Sequence, residues 1–382
     1  MHKLKRCREL NNENSKSICG VNYRDIDIRD RTRSKTLNHN SLFPFVLYED
    51  LEALKLNIQK IGTDLEFRNH EGETALLMAS RLRSATGFEL MNVLLENGSN
   101  VNATNNLGET SLIISCRLGL VTQIEMLISK FSADVNVMTK QGKTALHFCN
   151  MNMSSGRHGE TFEEVLHNNE LAFCSLIRAK NINVNLGQNM NPFHHACISG
   201  NMQTFNRFIC VGANVDQLTG YGSSPLHLVV KIISTQKADL LISCGVNIDR
   251  CDASGSTALH IACQMELDEH ATIRVKEESV ALVLQLLLSG ASAYARDSEG
   301  NTPLHIACKR VIYMSNANLK LSNCHLSAAF MIASRNSDCI SITNNDGKKP
   351  FDLIHNDSSP RGRFMLKIVV EDITQTHAAF IP

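Results

Sequence analysis

Tryptophan is absent from this chain of 382 residues, and aromatic residues make up only 5% of it, so packing falls to Leu, Ile, Val and Ala. A charge excess is missing too. Lys+Arg and Asp+Glu both number 38, which removes the composition-level argument for a nucleic-acid or anionic-membrane protein. No apolar run is long enough to cross a bilayer; the densest, 281–288, falls far short. The basic start (Lys3, Lys5, Arg6, Arg8) turns polar where a secretory signal would turn apolar. Enzyme signatures are lacking as well: no phosphate-binding Gly-rich loop, no nucleophile elbow and no His-Glu-x-x-His helix. The 13 cysteines are spread along the chain and not clustered as in a small secreted scaffold, which points to a reducing compartment, the cytosol or nucleus.

What the chain does have is one unit written repeatedly. Ser256-Thr-Ala-Leu-His-Ile-Ala-Cys263 returns as Asn301-Thr-Pro-Leu-His-Ile-Ala-Cys308. Weaker copies begin at Glu73, Glu109, Lys143, Met190, Ser223 and Lys348. Their second residues (74, 110, 144, 191, 224, 257, 302, 349) are separated by 36, 34, 47, 33, 33, 45 and 47, a base period of 33 with three insertions.

Each recurrent position has a physical reason. Thr74, Thr110, Thr144, Asn191, Ser224, Thr257 and Thr302 are good helix N-caps. Pro192, Pro225, Pro303 or Pro350 follows in four copies, where a missing N–H costs nothing. Two residues before the cap stands Gly72, Gly108, Gly142, Gly222, Gly255, Gly300 or Gly347, with Asn189 as the exception. That position predicts a tight left-handed turn in every copy. A second apolar helix completes the unit, several closing on Gly98, Gly212, Gly245 or Gly290. An extended segment such as Asn100-Val-Asn102 or Asp134-Val-Asn136 leads to the next.

Turn, short helix, return helix and extended segment, centred on Thr-Pro-Leu-His-x-Ala, resemble the ankyrin repeat. The resemblance implies an all-α solenoid of helix-turn-helix units with short β-hairpin-like connections. It covers about 41–357, a partial N-terminal cap over Leu47–Arg68 followed by eight repeats. Residues 1–40 read as a disordered basic tail, and 358–382 as a C-terminal tail or cap. The insertions (151–169, 264–279 and 309–324) fall between the two helices of their units. Within them 266–279 suits an N-terminal extension of the return helix, and 151–160 reads as a loop. In the last unit Lys349 lacks the cap and Asp352 replaces His, as suits a terminal repeat facing water.

His194/Cys197, His260/Cys263 and His305/Cys308 sit three apart, a spacing open to metal pairing. Each pair belongs to a different unit, and units stack about 8–10 Å apart. The favoured reading is therefore a Cys in the small buried site and a His bonded to the hairpin backbone. No cofactor or metal is expected.

The resemblance further implies a non-enzymatic protein–protein interaction scaffold, monomeric, binding another protein and not nucleic acid on the strip of hairpin tips and first helices. Carried over by position, partner contacts fall on Glu71, Glu73, Arg81, Asn106, Glu109, Arg117, Lys140, Lys143, Tyr221, Lys231, Lys309 and Arg310. Tyr221 is the best anchor, since Tyr and Arg dominate hot spots. It also implies that Asn102 and Asn136 stand where such proteins are hydroxylated. Two narrower roles are a ubiquitin-ligase substrate adaptor and a cytoplasmic inhibitor of a transcription factor. The last cysteine is Cys339, so 358–382 carries no Leu-x-x-x-Cys box, and no Asp-Ser-Gly signal stands near the N-terminus.

Overall fold

The computed structural model describes residues 41–60, 63–151, 162–199, 201–265, 272–316 and 323–355. The expectations for 1–40, for 358–382 and for the loop at 151–160 lie outside those residues, apart from Met151, which ends a helix and not a loop. Among the described residues there are 17 α-helices and no strand. They run as α1 (Phe43–Leu47), α2 (Leu51–Ile58), α3 (Ala75–Ala79), α4 (Ala85–Glu96), α5 (Ser111–Leu118), α6 (Val121–Ser129), α7 (Ala145–Met151) and α8 (Phe162–Ile177). Then come α9 (Pro192–Ser199), α10 (Met202–Cys210), α11 (Pro225–Lys231), α12 (Thr235–Ser243), α13 (Ala258–Gln264) and α14 (Ile273–Leu288). The stack ends with α15 (Pro303–Asn316), α16 (Asn323–Arg335), a 3-10 turn (Ser337–Ser341) and α17 (Pro350–His355).

Odd-numbered helices from α3 to α17 pack on one another as one layer, and α12, α14 and α16 pack in sequence in the second. The first helices start where the sequence provides a cap. Thr110 Oγ1 accepts from Ile113 N–H, and Asn191 Oδ1 from His194 N–H at 2.8 Å. Their apolar faces are sealed between neighbours: Leu112, Leu146, Phe193, Leu226, Leu259 and Leu304 are buried. Each such side chain contributes roughly 1.5–3 kcal/mol by leaving water, so the stack is stabilised by nearest-neighbour burial and not by one large core.

The hairpin glycines are needed twice over. Gly255 has φ +74°, and a Cβ there would lie 2.9 Å from the backbone nitrogen of Ser298 in the next unit. The expectation at Asn189 is corrected: no residue from 187 to 190 has positive φ, and the Asn189 carbonyl instead accepts from Gly220 N–H at 2.6 Å. A bulkier connection there passes on the hydrogen bond without the left-handed turn.

The N-terminal partial unit has both helices, α1 as well as α2, with Leu42, Val46 and Leu54 buried against α3 and α4. The insertions lengthen helices. α8 and α14 run to 16 residues and α15 to 14. In the last unit Asp352 takes the histidine's part, its Oδ2 accepting the Lys349 N–H at 2.8 Å as His305 Nδ1 accepts that of Thr302.

Candidate functional site

The hairpin tips are joined by single backbone bonds. Asn106 N–H donates to Glu71 O at 3.0 Å, Lys140 to Leu107 at 2.9 Å and Asn345 to Glu299 at 3.1 Å. These bonds fix the register of the strip formed by tips and first helices. Glu71, Asn106, Lys140, Tyr221 and Lys231 are exposed on it, Tyr221 at 73%. Lys143, Lys309, Arg310, Arg81 and Arg117 are half-buried.

Glu73 and Glu109 correct the expectation that both face a partner. Each is only 4% exposed. Arg81 Nε donates to Glu73 Oε1 at 3.0 Å, and Arg117 Nη1 to Glu109 Oε1 at 2.9 Å. Arg81 also lies 3.9 Å from Glu109, and Asn105 Nδ2 donates to Glu109 Oε2 at 2.9 Å. The two carboxylates thus alternate with the two guanidinium groups across adjacent units and neutralise them, because a carboxylate this buried needs a paired charge. Near the other end, Lys309 Nζ meets Glu299 Oε2 at 2.9 Å.

Between these neutralised ends the cations are uncompensated. Among the described residues Lys140, Lys143 and Lys231 have no carboxylate within ion-pair distance; Lys143 Nζ lies 5.9 Å from the centre of the Phe148 ring. Leu107, 59% exposed, and Tyr221 supply apolar surface on the same strip.

The histidines are structural. His260 Nδ1 accepts the Thr257 N–H at 3.1 Å, which leaves Nε2–H to donate to the Asn301 carbonyl at 3.0 Å. His227 and His305 repeat this with Ser256 and Lys348, and His147 with Met190. His194 departs, reaching Gln217 O at 2.7 Å. Burial holds all five below the usual imidazole value, His147 at about 4. With both ring nitrogens engaged, none is free for a metal. Cys197, Cys263 and Cys308 are buried, and burial pushes the first two thiols up to about 12. No group of three metal-ligating side chains converges among the described residues.

Asn102 and Asn136 belong to a ladder along the hairpin bases. Asn102 Oδ1 accepts from Asp134 N–H (2.9 Å) and Asn136 Oδ1 from Asn183 N–H (2.8 Å). Asn185, Asp216 and Asp249 continue it to Asn214, Asn247 and Ser292. The alternation Asn-x-Asn/Asp was the signal for it in the sequence. Lys237 carried no such signal. It is 4% exposed, and its Nζ donates to the carbonyls of Ala196 (2.9 Å) and Cys197 (3.0 Å) near the C-terminal end of α9. There a cation meets the negative end of the helix dipole.

The ankyrin-repeat family model matches three stretches, 42–138, 82–172 and 193–274, together more than half of the chain. An ankyrin repeat protein of Acanthamoeba polyphaga mimivirus is 30% identical over 131 residues, 34% of this chain and 16% of that protein. The chain therefore spans about a sixth of the length of that relative. The solved ankyrin repeat domain of Bcl-3, an IkappaB-family protein, matches 62% of this chain and 94% of its own at 22% identity and a TM-score of 0.49. Among the described residues no helix is long and apolar enough to cross a membrane.

Proposed function

The chain belongs to the ankyrin-repeat family, and from that premise we propose that it is a non-enzymatic protein-interaction scaffold whose strip takes an acidic, extended segment of another protein. The observation that carries this reading is the uncompensated set Lys140, Lys143 and Lys231 beside exposed Tyr221 and Leu107. A rigid strip with fixed register lowers the ordering cost of a bound segment. Positive charge between neutral ends raises the encounter rate with an acidic partner and sets its position.

The experiment uses a fluorescein-labelled acidic peptide of Glu, Leu and Tyr as probe. Binding to the full chain is expected to weaken with added salt, since exposed charges are screened over about 8 Å at physiological ionic strength. The triple reversal K140E/K143E/K231E is expected to abolish binding while changing stability by only about 0.5 kcal/mol at each of the exposed positions 140 and 231, and by more at half-buried Lys143. Glu109→Gln is expected to act the other way. It leaves Arg81 and Arg117 with less counter-charge, lowering stability by roughly 1–3 kcal/mol with peptide binding retained. Salt-insensitive binding that survives the triple reversal would remove the strip from the function.

A further inference from the structure

A second site lies away from the strip, between the third and fourth units. A cavity of about 180 Å³ opens there, lined by Cys149 near the end of α7, by Asn169, Glu170 and Phe173 of α8, and by Asn201, Gln203 and Thr204 at the start of α10. For scale, an apolar cavity of about 150 Å³ holds a benzene molecule. The decisive residue is Asn169. It is 2% exposed, yet among the described residues neither its Nδ2 nor its Oδ1 has a hydrogen-bond partner. A buried polar group without a partner costs roughly 1–3 kcal/mol, so a carboxamide with both ends open favours any occupant, water or ligand, that can meet them.

The other walls define the chemistry of the occupant. The Glu170 carboxylate is already paired with Arg207 at 2.7 Å, so the cavity carries no unbalanced charge, and an ion of either sign would enter without a counter-charge. The Asn201 side chain is committed to capping α10, accepting from Thr204 N–H at 2.8 Å. The first turn of that nine-residue helix points orphan N–H donors outward, as every helix start does. Phe173 closes one wall, held edge-on to Phe208 at 4.9 Å between ring centres. The deeply buried wall offers one amide donor pair and one amide acceptor beside an aromatic ring, while exposed Gln203, half-buried Thr204 and the N–H donors of the first turn of α10 line the more open side.

We propose that this cavity is a binding site for a primary carboxamide of the size of an Asn or Gln side chain. The ligand C=O accepts from Asn169 Nδ2–H, the ligand NH2 donates to Asn169 Oδ1, and its methylenes lie on Phe173. The same chemistry can arrive as a side chain of a partner protein or as a free amino acid.

The test is NMR titration of the full 15N-labelled chain. The Asn169 side-chain signals are assigned as the pair lost in Asn169→Leu. Propionamide is expected to shift them saturably, on the order of tenfold more tightly than butanone, an isostere without the N–H donors that would leave Asn169 Oδ1 unmet. Asn169→Leu is expected to lose the remaining shifts, with its urea midpoint confirming that it folds. Asn169→Asp, which keeps the acceptor but not the donor, is expected to weaken binding by a similar factor. N-acetyl-glutamine methylamide and free glutamine then separate the sources. Tighter binding of the capped form points to a partner's side chain, and tighter binding of the free form to the amino acid. Equal response to propionamide and butanone, or shifts that persist unchanged in Asn169→Leu, would overturn the proposal. So would Asn169 signals that do not move at all, as when waters or the chain's own side chains already satisfy the amide.

Discussion

His260 Nε2 donates to the carbonyl oxygen of Asn301 at 3.0 Å, carrying one unit's first helix onto the start of the next. In the neutral ring Nδ1 accepts the Thr257 N–H; protonating the ring leaves the Nε2–H donor in place but removes that acceptor and sets N–H against N–H at the cap. With the equivalents in other units, this turns a column of histidines into a pH-sensitive seam.

Burial is the main cause holding these imidazoles below their usual 6.5, with His147 at about 4. His195 and Lys143 near His147 push in the same direction. The unfolded chain therefore binds more protons than the folded chain between those values. Stability is fully present above pH 6.5 and is lost as pH falls toward 4. The urea midpoint is expected to drop between pH 7.5 and 4.5. Since one pKa unit corresponds to about 1.4 kcal/mol, His147 alone contributes roughly 3 kcal/mol to that fall. His147→Gln keeps a neutral hydrogen-bonding side chain and is expected to flatten the pH dependence by about that amount. A variant that tracks the wild type across the range would contradict the seam.

Two glycines with nearly the same backbone separate conformational strain from stacking. Gly255 and Gly347 have φ +74° and +72°. An added Cβ at Gly255 meets the Ser298 backbone at 2.9 Å, whereas at Gly347 none of the described residues lies within 4 Å. Gly347→Ala is expected to cost only the left-handed penalty, roughly 1–2 kcal/mol. Gly255→Ala bears that penalty and must also push neighbouring hairpins apart, so its urea midpoint is expected to fall clearly further. Equal losses would mean that the tips do not touch as described.

The repeat was legible because its signals are local. The cap at Thr257, the left-handed turn at Gly255 and the bond from Thr257 N–H to His260 Nδ1 each act within a few residues, and periodicity confirms them by repetition. The failures came where a partner far along the chain decides. Glu109 looked like an exposed tip residue, but Arg117 of its own unit together with Arg81, stacked on it from the preceding unit, makes it a buried counterion. Lys237 carries no pattern that singles it out, because its carbonyl partners lie some 40 residues earlier. Asn189 failed for a local reason: with no Gly at the turn, the hairpin found another route. Asn169 was invisible because an empty hydrogen-bond site leaves no mark in a sequence.

Thiol alkylation of the native chain reads the stack unit by unit. Cys210, Cys244 and Cys251 are exposed, while Cys116, Cys149, Cys197, Cys263 and Cys308 are buried. Alkylation requires the thiolate. Burial raises the Cys197 and Cys263 thiols to about 12 and Cys308 further still. The buried group can therefore react only after local opening, and in a solenoid opening is easiest where a unit has a neighbour on one side alone. With iodoacetamide at neutral pH and peptide mass spectrometry, Cys210, Cys244 and Cys251 are expected to label first among the described cysteines. Cys339, beside the last described unit, should follow, then Cys308, with Cys197 and Cys263 slowest. In urea above the unfolding midpoint the order should vanish. Simultaneous native labelling of Cys263 and Cys339 would mean that the stack opens as one cooperative block, and nearest-neighbour stabilisation would then be the wrong description of this chain.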